Sequence, residues 1–358
     1  MQIRGGGLLS LFAKTPLTVL VNGNVSVQYF FILTGFLAAR TAKNKCNATR
    51  DEIVKKCIQR FFRLFPVVSL AIIFTFITMV LGLQFHLEIA NKVINKEFLL
   101  KYCNFAPTIK SLFADVFWRT YTLDSQYVGP FWTIRYEFLG YIICLLVCWL
   151  TYNSRWRRCI YLICAIICYT QLGENYIMFF IGVTIADLWY TQKEKDTIFQ
   201  KYYANIIQNK IFLLMLSLLG IYLMCCPIYY VGIYKIFEGA STTTGLIRGI
   251  GVGLLLYVLL NCKKFQKCFE TSILKWVGKI SFELYAFHWP VMLIVQAGLF
   301  KIFITYLPYR YASICSFAIT IPIIIVSAYL IWYLIEKKQC FNVWNIMLKR
   351  NNRHNENL

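Results

Sequence analysis

Apolar runs long enough to cross a bilayer recur along this chain, and the first of them sets the pattern for the rest. Residues 22–40, NGNVSVQYFFILTGFLAAR, begin polar, pass through an apolar helix with paired Phe30 and Phe31 and a Thr34-Gly35 notch, and stop against eight Lys and Arg residues between Arg40 and Arg63. Roughly 20 mostly apolar residues span the hydrocarbon of a membrane. By that measure there are nine candidate spans, at 17–39, 64–85, 131–150, 157–171, 175–190, 211–227, 244–261, 280–300 and 312–335. Those at 157–171 and 175–190 are short enough to be merged or tilted. Residues 98–118 form a weaker patch broken by Lys101, Asn104, Pro107 and Lys110, expected to be interfacial or re-entrant. The fold class is therefore all-α, a polytopic membrane helix bundle.

Composition agrees, and it removes the competing classes. Of 358 residues, 59% are apolar and 15% charged, more oil than a soluble core needs. The net charge of +21 does not point to nucleic acid, because the basic residues recur in short clusters between apolar runs and form no single basic surface. The 14 cysteines lie mostly inside apolar stretches, without zinc spacing or an even extracellular framework, and read as buried thiols. No metal is expected. The start, Met1-Gln-Ile-Arg-Gly-Gly-Gly, lacks the order of a secretory signal.

Loop charge predicts the orientation, since short basic loops stay on the cytoplasmic side. Alternate loops carry 8 (40–63), 3 (155–158), 4 (193–210), 5 (263–279) and 5 (337–353) basic residues, against 5 (92–119), none (171–174), 1 (Lys235) and 2 (Lys301, Arg310) in the loops between. The C-terminus is then cytoplasmic, and the residues before the first span fall outside with no signal to carry them there. This predicts a missing upstream helix. The organisation read is one membrane domain, 1–340, with a polar cytoplasmic tail, 341–358.

Ionisable residues inside spans are expensive and face interior cavities, so each is a functional candidate. They are Arg135 and Glu137, Arg248, and Glu283 with His288. Arg135 and Glu137 are two apart on a helix, about 200° around it, so each needs another partner. Glu283 and His288, five apart, lie about 140° from each other and make no dyad. His288 has the chemistry of a base or a donor; the alternative is that it bonds a carbonyl freed by Pro290. His86 and His354 read as structural or incidental. Arg60 and Arg63 are one turn apart at the cytoplasmic mouth of the second span, where two guanidinium forks suit a pyrophosphate, although the positive-inside rule alone also accounts for them. Asn47-Ala-Thr49 has the form of a glycosylation acceptor on a loop predicted to be cytoplasmic.

Five motifs, in order, carry a resemblance. They are Gly23-Asn-Val-Ser-Val27-Gln-Tyr-Phe30-Phe31-Ile-Leu-Thr34-Gly35-Phe36; Arg60-Phe-Phe-Arg63-Leu-Phe-Pro66; Gly129-Pro-Phe-Trp132-Thr-Ile-Arg-Tyr-Glu137-Phe; Gly278-Lys-Ile-Ser281-Phe-Glu-Leu-Tyr285-Ala-Phe-His288-Trp-Pro290; and Tyr333-Leu-Ile-Glu336-Lys. Over almost the whole chain they resemble the integral-membrane acyltransferase family 3, the O-acyltransferases of envelope and exported polysaccharides. The resemblance implies ten membrane helices in the cell (plasma or inner) membrane. It also implies a cytoplasmic acyl-CoA donor, usually acetyl-CoA, and an acceptor hydroxyl on a polysaccharide or lipid-linked glycan at the outer side. It assigns Arg60 and Arg63 to donor binding or catalysis, and Glu137 and His288 to the catalytic set. Phe30, Phe31, Thr34, Gly35, Trp132, Ser281, Tyr285 and Pro290 are motif positions.

The chain departs from the family at named places. The family's first helix carries an Arg or Lys followed eleven residues later by a His, the acceptor of the hydroxyl proton; here Arg4 leads to Thr15, and no histidine precedes His86. Thr34 replaces the motif's Ser and Gln28 its Asp. Nine spans in place of ten match the orientation anomaly, and the expectation is an N-terminally shortened chain or a degenerate homologue. A transporter or flippase for acyl groups or lipid-linked glycans is the alternative from another class, and a non-catalytic membrane subunit a third.

Overall fold

A computed structural model describes residues 19, 22–44, 49–93, 96–193, 209–227, 232–237 and 244–337, and among them every regular element is a helix. Arg4, Thr15, Asn47, His354, the side chain of Glu336 and the tail 341–358 lie outside the described residues. Nine helices stand where the nine apolar runs were read. They are α1 (Gly23–Asn44), α2 (Arg50–Val80), α3 (Gly129–Thr151), α4 (Arg157–Leu172), α5 (Asn175–Lys193), α6 (Lys210–Met224), α7 (Thr244–Asn261), α8 (Ser272–Phe303) and α9 (Tyr309–Ile335). Six of these, α1, α2, α3, α7, α8 and α9, are long and apolar enough to cross a membrane by themselves, and α6 is a shorter apolar helix.

The largest differences from the sequence reading are two helix starts, and both extend a helix into basic sequence. Helix α2 begins at Arg50 and not at residue 64, with Asp51 and Glu52 in its first turn where acidic side chains favour a helix start. Arg60 and Arg63 therefore stand on the spanning helix itself. Helix α8 begins at Ser272 and not at residue 280, so Gly278 and Ser281 are helical.

The distribution of side chains fits a lipid solvent. Leu162, Ile163, Ile166 and Ile167 on α4, and Leu214, Met215 and Leu218 on α6, are exposed, whereas Glu137, Arg248 and Glu283 are buried. Water would reject that surface; hydrocarbon accepts it and drives the ionisable groups inward.

The chain divides into two compact units, 1–53 with 136–271 and 54–135 with 272–358. In the first, α1 and α5 meet backbone to backbone. A Cβ on Gly35 would overlap the carbonyl of Phe179, and one on Gly182 would overlap the carbonyl of Ile32. That mutual approach is how small residues let helices associate where no hydrophobic drive exists between them. Phe31, fully buried, stacks on Phe179 at 4.8 Å, while its neighbour Phe30 is 41% exposed. The paired phenylalanines of the motif thus divide between core and surface. Arg157 and Arg158 both grip Asp187, at 2.6 and 2.7 Å, joining α4 to α5.

In the second unit α8 packs along α9, whose buried residues Ala312, Ser316, Thr320, Ile324 and Ala328 recur at four-residue steps and so line one side of the helix. Between α2 and α3 the chain folds back alongside α2. A helical stretch at 109–122 begins at Thr108, whose side chain forms a capping box with Ser111, and runs antiparallel to α2. Phe117 meets Phe65 at 5.6 Å and Tyr121 meets Phe61 at 5.1 Å, yet Tyr127 meets Phe76 at 6.1 Å. Phe61 and Phe76 are 15 residues apart on α2, about 22 Å at 1.5 Å per residue. Residues 109–118 of the weaker apolar patch thus lie along α2. Arg119, counted above with an outer loop, sits in that helical stretch. Fully buried Asp115 ties the return, accepting from the Ser125 hydroxyl at 2.6 Å and from the backbone N–H groups of Gln126 and Tyr127.

The α1–α5 approach gives a direct test. Gly35→Val is expected to lower the melting temperature of the detergent-extracted protein by several degrees, because overpacking of about 1–3 kcal/mol falls here on a backbone carbonyl. Gly278→Val, with nothing within 4 Å of the added carbon, is expected to leave it unchanged.

Candidate functional site

The second unit brings together two motifs more than 150 residues apart in sequence. Tyr285, on α8, donates its hydroxyl to the Pro130 carbonyl and accepts from the Thr133 hydroxyl at the start of α3. Its ring lies 6.3 Å from that of Phe131. One turn further on, His288 places Nδ1 2.6 Å from the Tyr285 carbonyl. This is not the carbonyl that Pro290 frees, which belongs to Ala286 four residues before it, so the proline-kink explanation of the histidine does not hold. Pro290 is buried, and α8 widens into a π turn at Met292–Gln296 just after it. The His288 ring is half-buried and reachable, whereas its neighbours Phe287 and Trp289 are buried.

Helix α2 supplies the other half of this unit's candidates. Phe74 packs on Phe287 with ring centroids 6.0 Å apart, which fixes the level of His288 on α2. Arg63 and Arg60 precede Phe74 by 11 and 14 residues, about 17 and 21 Å along the helix. Arg60 is half-buried and Arg63 exposed. Ser281 is exposed and bonds the Gly278 carbonyl of its own helix, so the structure does not bring it to the candidates. Trp132, half-buried, begins the helical turn that holds Thr133.

Arg135 and Glu137 find separate partners, as their spacing requires. Arg135 pairs with Asp124 at 3.5 Å in the second unit. In the first unit, Glu137 is fully buried and accepts the Thr34 hydroxyl at both carboxylate oxygens, 3.2 and 2.9 Å. Thr34 and Gly35 thus serve one motif in two ways, the hydroxyl facing the carboxylate and the missing side chain admitting α5. Also in the first unit, Gln28 donates to the Gly245 carbonyl at 2.9 Å. Arg248 is buried and donates to the Cys226 carbonyl at 2.7 Å, just past the end of α6. A cation on a helix C-terminal carbonyl is structural.

His86 is likewise structural. It is 1% exposed, with Nε2 3.1 Å from the Tyr102 carbonyl. Burial pushes its pKa below the usual histidine value, partly offset by the carbonyls of Tyr102 and Leu293. Among the described residues no group of His, Cys, Asp and Glu is arranged to hold a metal.

Sequence reasoning missed Tyr285 as the joint between motifs, Asp115 and the Asp124–Arg135 pair. Only Asp115 left a trace, the Thr108-x-x-Ser111 capping signal that opens its helix. Compared with known proteins, residues 3–333 match the family model described as Acyltransferase domain. No curated protein and no solved structure matches.

Two outcomes follow from these contacts. Thr34→Val leaves the buried carboxylate short of a donor and is expected to lower thermal stability in detergent by about 1–3 kcal/mol, while Thr34→Ser, which keeps the hydroxyl, restores most of it. For His86 the folded state disfavours the proton relative to the unfolded chain, whose pKa is about 6.5. Its contribution is present above that value and lost as pH falls below it. Melting measured from pH 7.5 to 5.5 should show a decline that His86→Gln flattens.

Proposed function

The chain belongs to the acyltransferase family 3, a multi-pass membrane enzyme transferring groups other than amino-acyl groups, and from that premise we propose its donor, acceptor and site. The donor is acyl-CoA, with acetyl as the acyl group, presented from the cytoplasm of a plasma or inner membrane. The acceptor is a hydroxyl of an extracytoplasmic polysaccharide or lipid-linked glycan, and the C-terminus is cytoplasmic. Arg60 and Arg63 take the donor's pyrophosphate, because a guanidinium presents two parallel N–H groups to phosphate oxygens.

One observation carries this reading: a single helix, α2, holds the arginine pair at one end and, about 17–21 Å further on, the phenylalanine that packs beside His288. A charged nucleotide head at the arginines and a thioester at the histidine lie at the two ends of an extended pantetheine arm. The spacing is that of a donor entering the protein lengthwise. Transfer then requires a base for the acceptor hydroxyl and donors for the oxyanion of the tetrahedral intermediate. Glu137 stays in the catalytic set. A carboxylate inside a membrane domain costs about 3 kcal/mol at a helix centre, which marks it as kept for use.

Membranes carrying the full chain, supplied with radiolabelled acetyl-CoA, are expected to form alkali-labile ester on glycan. Arg60→Ala and Arg63→Ala should each raise the KM for acetyl-CoA about 10–100-fold, the equivalent of a charged hydrogen bond, with smaller changes in kcat. Lysine substitutions should recover only part of the loss, since they return the charge without the fork. Unchanged KM in both alanine variants would reduce the pair to topology signals and reject this donor site.

A further inference from the structure

We propose that His288 is the general base of the transfer, acting through Nε2, and that Tyr285 is the residue that positions it; this rests on the acyltransferase reading above. The sequence leaves the histidine free to be a base or an oxyanion donor, and one hydrogen bond separates the two. His288 Nδ1 lies 2.6 Å from the Tyr285 carbonyl oxygen. A carbonyl only accepts, so Nδ1 carries the hydrogen, and the neutral ring then holds its lone pair on Nε2. A nitrogen with a lone pair and no hydrogen takes a proton; it cannot donate to an oxyanion.

The surroundings hold the ring in that state. Tyr285 is fixed at both ends, its hydroxyl on Pro130 and Thr133 and its carbonyl on the imidazole. The bonded carbonyl is on the histidine's own helix one turn back, so the tautomer is set by the rotamer and needs no other element to move. Phe287 and Trp289 on either side are buried, which keeps α8 from turning, while the imidazole stays half-exposed for a substrate. Of the two histidines among the described residues, His86 is 1% exposed with Nε2 already on the Tyr102 carbonyl. His288 is the one whose ring a substrate can reach.

The step balances without any further reagent. Nε2 takes the proton of the acceptor hydroxyl as its oxygen attacks the thioester carbonyl carbon. The C–O bond forms, the tetrahedral intermediate collapses, and the C–S bond breaks to release thiolate. The imidazolium Nε2–H returns the proton to sulfur, giving the ester, free CoA thiol and a neutral histidine.

The test uses the full chain in membranes with acetyl-CoA as probe, following CoA thiol release, glycan ester and acetyl-CoA affinity. His288→Gln keeps a side-chain N–H donor and removes the base. A loss of at least about 100-fold in kcat, the scale of general base catalysis, with acetyl-CoA affinity within twofold of wild type, is the expected result. His288→Ala should lose as much and regain part of it when imidazole is added, which a folding defect would not allow. Tyr285→Phe keeps the carbonyl but frees the ring from Pro130 and Thr133, and is expected to lower kcat about tenfold with KM unchanged. A glutamine variant within tenfold of wild type, or an alanine variant that binds acetyl-CoA yet gains nothing from imidazole, overturns the base assignment alone. A wild-type chain that releases no thiol overturns the acyl-CoA reading and this assignment with it.

Discussion

Inside hydrocarbon every polar group must find its partner within the protein, and the described structure can be understood as the set of answers to that demand. Glu137 answers with the Thr34 hydroxyl, Arg248 with the Cys226 carbonyl, and Asp115 with a serine and two backbone N–H groups. Each solution requires a particular neighbour at a particular depth. The apolar residues, by contrast, are interchangeable as solvent-facing surface, and α9 shows how little they specify. Of a continuous apolar stretch of 18 residues in it only 22% are buried, and the stripe that fixes it against α8 includes two alanines, a serine and a threonine.

That asymmetry explains what the sequence could and could not disclose. Nine helices were legible because roughly 20 consecutive apolar residues admit one structure in a bilayer, and their cationic ends were legible as loop charge. The start of α2 was not. Arg50 to Arg63 are as good helix formers as the apolar residues that follow, but hydropathy counts them as loop. The stretch 109–122 was ambiguous for the opposite reason. Its apolar face is too short to span, and only contact with Phe61 and Phe65 on α2 shows which way it runs. Within the site, residue types were readable and meetings were not. Thr34 and Glu137 are 103 residues apart, and Tyr285 is 155 from Pro130. Helical spacing excluded an Arg135–Glu137 pair but could not name Asp124 or Thr34. Ser281 was grouped with its motif by sequence alone, and a helix exposed at that position leaves it outside.

Glycine shows the same limit from the side of packing. Gly35 and Gly278 both lie in motifs, and nothing local distinguishes them. In the structure the first admits another helix's backbone and the second faces open space. The Phe30-Phe31 pair behaves likewise, one ring stacked in the core and one exposed, because adjacent residues on a helix point about 100° apart and only one can meet α5.

The departure at Thr15 acquires a chemical meaning from the geometry of α8. The family resemblance places the proton acceptor on a first helix, where this chain has Thr15, and α8 offers a second place for a group able to take that proton. A histidine whose Nδ1 already serves a carbonyl has that capacity, and it comes with its tautomer fixed by the backbone of its own helix. The same bond that assigns His288 this role also removes it from the oxyanion hole. Stabilising the tetrahedral oxygen then falls to other hydroxyl or N–H donors; Thr133 is not among them, because its one hydrogen is already taken by Tyr285 or Pro130. On the proposed mechanism α8 sets the base, and the start of α3 holds it in place through Tyr285, whose hydroxyl touches Pro130 and Thr133.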